Sequence, residues 1–183
     1  MKRQEALNLM EEKISTVNMR KHCLAVEAIM RALAVRLGQD PESWGLAGLL
    51  HDIDYEGTRD DLARHSLVGT TWLEEWGLPA DIVYAVKVHN SYHGLPRRSL
   101  LDSAVYACDP LTGLIIAAAL IRPEKKLSVV DVPFLLNRFQ EKGFARGARR
   151  EQILACSELG LTLEEFLNIG LASMQGIADE LGL

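Results

Sequence analysis

The chain has 183 residues, of which 48% are hydrophobic, and its formal net charge is -5. This length fits one domain, and the apolar content is sufficient for a sizeable buried core. The acidic balance argues against a nucleic-acid coat protein and against binding to an anionic membrane, because both depend on Lys and Arg that neutralise phosphates. We therefore expect no nucleic-acid partner and no membrane partner.

The predicted elements are all helical, because apolar residues recur at three- and four-residue steps and two-residue alternation is missing. Gly or Pro marks several of the loops between them. The helices are expected over residues 3–16, 19–37, 41–52, 60–76, 79–89, 99–121, 128–141, 148–159 and 163–181. The sequence thus predicts an all-α fold, a single compact helical bundle in one domain over residues 1–183.

The N-terminal segment alternates charged and apolar residues and contains no uninterrupted apolar segment of the kind that a signal peptide needs. The longest apolar run, Leu111–Ile121, has 11 residues, and a membrane-spanning helix requires roughly 20. Cys23, Cys108 and Cys156 include no CxxC pair, so neither a disulfide framework nor a thiolate zinc site is indicated. We expect a cytoplasmic protein with reduced cysteines.

The third predicted helix leads into the most informative motif, "AGLLHDIDYEG" at residues 47–57. Asp40 as N-cap and Pro41 at the first helical position predict where this helix begins. Its apolar residues should bury His51 and Asp52, and a buried carboxylate is costly unless a cation or a metal compensates it. Neighbouring residues on a helix point about 100 degrees apart, so this pair can meet one metal only near a helix end or from different sides.

Further histidines and one aspartate fall on other predicted helices. His22 begins the second helix, His65 lies in the fourth, His89 closes the fifth and Asp109 lies inside the sixth. Imidazole nitrogen and carboxylate oxygen are ligands for divalent transition metals, and helical bundles build such sites from facing helices. We therefore expect these positions to converge on a shared cavity.

Each of these residues alone has a simpler explanation. His22 and His65 could be partly exposed helical histidines, and His89 could cap the C-terminus of its helix. Asp109 precedes Pro110 and could be a helix cap or a turn residue. The complete ordered set around a buried His-Asp pair favours a metal site.

Together these motifs resemble the HD-domain metal-dependent phosphohydrolases of the HDIG-like, two-metal type. The family pattern is a helix-borne His, an apolar run that ends in His-Asp, and a later Asp in an apolar helix. It matches His22, the His51–Asp52 pair and Asp109, and the resemblance covers about residues 18–122. That range is the expected HD-type metal-binding core, and residues 123–183 form C-terminal helices of unassigned role.

The resemblance implies a specific ligand set. One metal would be bound by His22, His51, Asp52 and Asp109, and Asp52 would bridge to a second metal held by His65 and His89. The mixed nitrogen and oxygen donors favour Mn, Fe, Co, Ni or Zn over Mg, so the expected cofactor is one or two divalent transition-metal ions.

The candidate catalytic residues are Asp52, Asp54 and Glu56. Two metals could generate a bridging hydroxide and clamp a phosphoryl group for attack. Asp54 or Glu56 could then act as the general acid for the leaving oxygen, provided that burial or a neighbouring carboxylate raises its pKa.

Many two-metal relatives carry a lysine just after the His-Asp pair that faces substrate phosphate, whereas this chain reads Ile53, Asp54, Tyr55, Glu56. Positive charge is expected near a phosphate site in any case. The expected phosphate ligands are Arg59, Arg97 and Arg98. Further candidates are Lys125, Lys126, Arg146, Arg149 and Arg150, although the cluster "ARGARRE" is typical of a solvated helix face or a helix start.

The sequence therefore predicts a metal-dependent hydrolase that acts on a small phosphate ester or anhydride, with a nucleotide-like molecule as the expected partner. Two alternatives stay open. The missing lysine motivates a non-catalytic, metal-stabilised ligand-binding module, and the His and carboxylate set could also support a di-iron HD-type oxygenase. Substrate, metal identity and oligomeric state, a homo-oligomer included, are left open.

Overall fold

The computed structural model describes residues 1–183, and it contains helices and turns but no β-strand. Short 3-10 turns occupy Ser91–His93, Leu127–Val129 and Ala155–Leu159. The α-helices are α1 (Arg3–Lys13), α2 (Val17–Arg36), α3 (Pro41–Leu50), α4 (Tyr55–Thr58), α5 (Leu67–Glu75), α6 (Ala80–His89), α7 (Leu100–Leu120), α8 (Val132–Gln140), α9 (Arg150–Leu154), α10 (Leu163–Gly176) and α11 (Ala178–Leu181). The predicted all-α fold is confirmed.

One apolar core connects both ends of the chain, with buried side chains from Ala6 in α1 to Leu181 in α11. α2 and α7 lie at its centre: α2 packs on α3, α7 and α10, and α7 also packs on α6, α8 and α9. Fully burying a side chain such as Phe166 stabilises the fold by about 1.5–3 kcal/mol. The helices after residue 123 therefore share the hydrophobic core with the helices before it.

The beginning of α3 follows from local sequence, as predicted. The Asp40 side chain accepts hydrogen bonds from the backbone N–H groups of Glu42 and Ser43, and Pro41 occupies the first helical position. Such a cap satisfies N–H groups that lack a partner within the helix.

Gly48 allows α3 to lie directly against α2. A Cβ atom at this position would be 3.1 Å from Glu27 Cα and 2.9 Å from Met30 Cγ, which is too close for a side chain. The close approach of the two helices brings the residues after α3 next to His22 on α2.

α7 has the length and the mean hydropathy of a membrane-spanning helix, but 67% of its most apolar 18-residue window is buried within the protein. The central helix of a globular domain meets the same criterion. The helix continues through Pro110, so Asp109 lies within it and is neither a cap nor a turn residue.

The predicted helix over residues 60–76 is wrong in its first half. Residues 59–66 form turns, and α5 begins only at Leu67. Ser66 has φ of 68°, in the left-handed region that a helix interior does not contain. His65 therefore lies in the turn before α5.

Candidate metal centre

Six side chains converge between α2, α3, α5, α6 and α7. They form two groups whose ligand atoms lie within 4.8 Å of one another, with Asp52 in both groups. The members are the residues named from the sequence: His22, His51, Asp52, His65, His89 and Asp109.

The first group joins α2, the end of α3 and α7. His22 Nε2 lies 3.1 Å from His51 Nε2 and 3.3 Å from Asp109 Oδ1. Asp52 Oδ2 completes the group, 3.6 Å from His22 Nε2 and 3.5 Å from His51 Nε2. Two imidazole nitrogens and two carboxylate oxygens thus face one point.

The second group lies on the other side of Asp52. Asp52 Oδ1 is 3.3 Å from His65 Nε2 and 3.3 Å from His89 Nε2. Each carboxylate oxygen of Asp52 therefore faces a different set of histidines. A carboxylate in this position can bridge two metal ions.

Hydrogen bonds at the Nδ1 atoms fix how three of the imidazoles point. His51 Nδ1 lies 2.8 Å from the carbonyl oxygen of Gly48, and His89 Nδ1 bonds the carbonyl of Val86. A carbonyl can only accept, so each Nδ1 carries the proton and each Nε2 keeps its lone pair available to a metal. His22 Nδ1 lies 2.9 Å from Thr112 Oγ1.

The imidazole of His65 is held by a carboxylate. Its Nδ1 is 3.1 Å from Asp54 Oδ1, and Asp54 Oδ2 accepts a hydrogen bond of 2.7 Å from the backbone N–H of Gly69. Carboxylate–histidine pairs of this kind orient metal-binding histidines and increase their basicity. Asp54 is fully buried behind His65 and does not line the cavity described below. Its position thus suits orientation of His65 and gives no support to the predicted role of proton donor.

The pKa values follow from dense packing of histidines and carboxylates. Burial lowers the pKa of His22 and His65, but hydrogen bonds to carboxylates outweigh it and raise both to about 10. Burial lowers the pKa of His51 to about 4. Burial raises the pKa of Asp52, but the neighbouring histidines outweigh it and hold this carboxyl well below its ordinary value. Asp52 is therefore ionised, the form that binds metals.

The donor set fits a divalent transition metal. Buried imidazole and carboxylate groups converge with their ligand atoms facing each other, and a metal cation could replace the protons of His22 and His65 in balancing the carboxylates of Asp52 and Asp109. Mixed nitrogen and oxygen donors suit Mn, Fe, Co, Ni or Zn. These groups could hold a metal, whose identity the donor set does not fix.

A cavity of about 330 Å³ opens beside the centre. Asp52, His65, His89 and Asp109 form its floor. The rest of its lining comes from Tyr55, Leu62, Asn90, Ser91, Pro110, Gly147, Arg149 and Gln152. A ligand in this cavity would lie directly against both groups of metal-binding side chains.

Glu56 lies outside this cavity. Its carboxylate bonds Thr16 and Ser15, and these hydrogen bonds lower its pKa to about 2. A general acid must hold its proton near neutral pH, which requires a raised pKa. The structure therefore does not support the predicted role of Glu56 as proton donor.

The three arginines expected to bind phosphate also lie outside the cavity. Arg59 is exposed and 3.4 Å from Asp60. Arg97 pairs with Glu158 and lies over the Tyr106 ring, and Arg98 lies over the Tyr84 ring. Their predicted role gains no geometric support.

Gln152 is a functional candidate that the sequence did not single out, and Arg149 was only a further candidate for binding phosphate. Both line the cavity, although they lie far along the chain from the His-Asp pair. The run "ARGARRE" is a signal for positive charge here, but it has the same pattern as an exposed helix start.

Comparison with known proteins agrees with this geometry. A family model described as "HD domain" matches residues 19–119. Ribonuclease Y of Desulfotalea psychrophila is 32% identical over 140 residues, which cover 73% of this chain and 26% of that protein. Ribonuclease Y of Oleidesulfovibrio alaskensis is 31% identical over 96 residues, 52% of this chain and 18% of that protein. Ribonuclease Y of Lawsonia intracellularis is 30% identical over 116 residues, 63% of this chain and 21% of that protein.

The HD match covers more than half of the chain and includes all six converging residues. The protein therefore belongs to the HD-domain superfamily of metal-dependent phosphohydrolases. It spans about a quarter or less of the length of these relatives.

Proposed function

We propose that the protein hydrolyses a phosphate ester or anhydride of a small nucleotide-like molecule in a metal-dependent reaction. The observation that carries this proposal is the position of Asp52. Its two oxygens face two separate groups of histidines, and the cavity of about 330 Å³ opens onto both groups.

One metal would be held by His22, His51, Asp52 and Asp109, and a second by Asp52, His65 and His89. When bound, divalent ions supply an activated water and positive charge that stabilises a phosphoryl group under attack. The protein's own groups orient the ligands and surround the substrate.

Backbone carbonyls and one carboxylate hold the metal-binding histidines in place. The Gly48 and Val86 carbonyls fix the rings of His51 and His89, and Asp54 fixes the ring of His65. Tyr55 lies edge-on to His65, with ring centroids 6.0 Å apart, and lines the cavity. The substrate would therefore meet oriented ligands and would lie beside an aromatic wall.

The size of the cavity supports a single nucleotide or a similar small phosphate compound, since ligand pockets of about 300–1,000 Å³ take small molecules. The net charge of -5 also disfavours a long polyanion. RNA is the second candidate, because the relatives are named Ribonuclease Y. An RNA substrate would have to place one phosphodiester at the cavity mouth.

The test is a hydrolysis screen of Mn²⁺-loaded protein. The panel contains nucleoside mono-, di- and triphosphates, bis(p-nitrophenyl) phosphate and a short single-stranded RNA. Wild type should hydrolyse at least one nucleotide, and Asp52→Asn should reduce the rate by more than about 100-fold, since even residues behind metal ligands are worth 10–100-fold. Asp60→Asn is the matched control, because Asp60 is exposed and its side chain lies near Arg59 alone.

Other outcomes assign other functions. Cleavage of RNA without turnover of nucleotides would replace the small substrate with a polynucleotide. Ligand binding without hydrolysis would favour a binding module. Iron-dependent oxygen consumption that is absent with Mn²⁺ would favour an oxygenase. Turnover that survives Asp52→Asn would contradict a role of this centre in hydrolysis.

A further inference from the structure

Arg149 is the one Lys or Arg side chain that lines the cavity beside the metal centre. Its Nη1 donates a hydrogen bond of 3.2 Å to Ser91 Oγ, in the turn that follows His89. The floor of the cavity carries the carboxyl groups of Asp52 and Asp109. Apart from the histidines of the metal centre, Arg149 is therefore the side chain that offers positive charge to an anionic substrate in this cavity.

The segment that carries Arg149 has no regular secondary structure, but it is tightly held. Residues 141–149 connect α8 to α9, and they wrap around the side chain of Arg150. The guanidinium of Arg150 donates hydrogen bonds to the carbonyl oxygens of Arg138, Phe139, Glu141, Phe144, Ala145 and Ala148. This number of bonds from a partly buried cation gives the segment a defined path past the cavity.

Gln152 adds a second polar group to the same wall. Gln152 is a largely buried residue that lines the cavity. An amide in a cavity wall offers both a hydrogen-bond donor and an acceptor to a ligand. Arg149 is the residue immediately before α9 and Gln152 lies within this helix, and both side chains line the cavity.

We propose that Arg149 and Gln152 form a binding site for the substrate's phosphate group, and that Arg150 positions it. This proposal rests on the proposed function, since the phosphate is the substrate's. The guanidinium pairs with two phosphate oxygens and the amide donates to a third or to a neighbouring hydroxyl. All three residues lie outside the range 19–119 that matches the HD family. The C-terminal part of the chain thus supplies a phosphate-binding side chain beside the metal centre.

The test uses inorganic phosphate as the probe and calorimetry on Mn²⁺-loaded protein. Wild type should bind phosphate, and Arg149→Ala should bind it roughly 10- to 100-fold more weakly, the usual effect of losing a charged hydrogen-bond partner. Arg149→Lys should recover part of the loss, because it keeps the charge without the planar fork. Arg146→Ala is the matched control, since Arg146 is exposed in the same segment and does not line the cavity.

Wild type that binds no phosphate, or Arg149→Ala that binds it as tightly as wild type, would overturn the proposal. This result can be read separately from the hydrolysis screen. Absence of turnover in wild type would contradict the proposed function, whereas the difference in phosphate affinity between wild type and Arg149→Ala reports on the contribution of Arg149.

Hydrogen exchange tests the positioning role of Arg150. Arg150→Ala should weaken phosphate binding and also speed amide exchange in residues 141–149, whereas Arg149→Ala should leave that exchange unchanged. Unchanged exchange in Arg150→Ala would contradict the role assigned to its side chain.

Discussion

Replacing Asp54 with asparagine should weaken metal binding in one half of the centre and leave the other half intact. Asp54 uses both oxygens, one toward His65 Nδ1 at 3.1 Å and one toward the Gly69 N–H at 2.7 Å. An asparagine side chain has one oxygen and one NH₂ group. It can accept from only one of these partners, and its NH₂ group then faces the other donor.

The magnitude follows from what Asp54 holds. Loss of a group that orients a metal-binding histidine reduces metal affinity 10- to 100-fold, which is about 1.4–2.7 kcal/mol. A buried donor left without a partner also lowers the free energy of unfolding by about 1–3 kcal/mol. The loss of metal affinity should concentrate on the His65–His89 group, because the Asp54 carboxylate bonds His65 and the Gly69 N–H and not a ligand of the group around His22.

The assay is calorimetric titration of chelator-treated protein with Mn²⁺. Wild type should bind two ions, and Asp54→Asn should bind one ion with normal affinity and one more weakly. Asp60→Asn removes an exposed charge from the same segment and should behave as wild type. If Asp54→Asn binds both ions as tightly as wild type, Asp54 does not support metal binding through His65.

Gly48→Ala should lower the free energy of unfolding by about 1–3 kcal/mol through overpacking between α2 and α3. Gly113→Ala should raise it, because no atom lies within 4 Å of the added Cβ and alanine favours the helix. Urea unfolding measures both variants, and equal effects would contradict close packing at Gly48. Glu56→Gln should lower the Tm at pH 7, because hydrogen bonds from Thr16 and Ser15 stabilise the ionised carboxylate and lower the pKa of Glu56 from 4.5 to about 2. The difference in Tm between variant and wild type should therefore shrink as the pH falls from 4.5 towards 2. A difference in Tm that does not depend on pH would argue against these hydrogen bonds. Mn²⁺ at 100 times its Kd should stabilise the fold by about 2.7 kcal/mol, and a chelator should reverse this effect. A thermal unfolding curve that neither Mn²⁺ nor the chelator changes would exclude a metal bound to the folded state alone.

Local sequence signals predicted most of the helices, because caps act over a few residues. Asp40 and Pro41 predicted where α3 begins, and the structure shows the expected cap. The conformation of the segment before α5 depends instead on contacts with residues distant in sequence. His65 is held by Asp54 and lies against Asp52, contacts that cross the sequence, and Ser66 adopts the left-handed region. Helical periodicity over residues 60–76 carried no sign of these contacts.

The site could be predicted only in part, because some of its groups are brought together by contacts between residues distant in sequence. The six side chains that converge were named through the resemblance of the His and Asp pattern to HD-domain proteins, although His65 lies in a turn and not in the predicted helix. The roles of the three arginines near residue 149 could not be predicted in this way. Arg146, Arg149 and Arg150 are close neighbours in sequence, yet the first lies outside the cavity lining, the second lines the cavity and the third binds backbone carbonyls. Their composition and spacing do not separate these roles, which depend on where residues 141–149 pack.

The central claim, that Asp52 joins two metal sites, is tested most directly by a crystal structure of protein grown with Mn²⁺ and measured for anomalous scattering. Two anomalous peaks are expected, one between His22, His51 and Asp109 and one between His65 and His89, with Asp52 next to both. No peak at Asp52, or peaks only elsewhere on the protein, would contradict it.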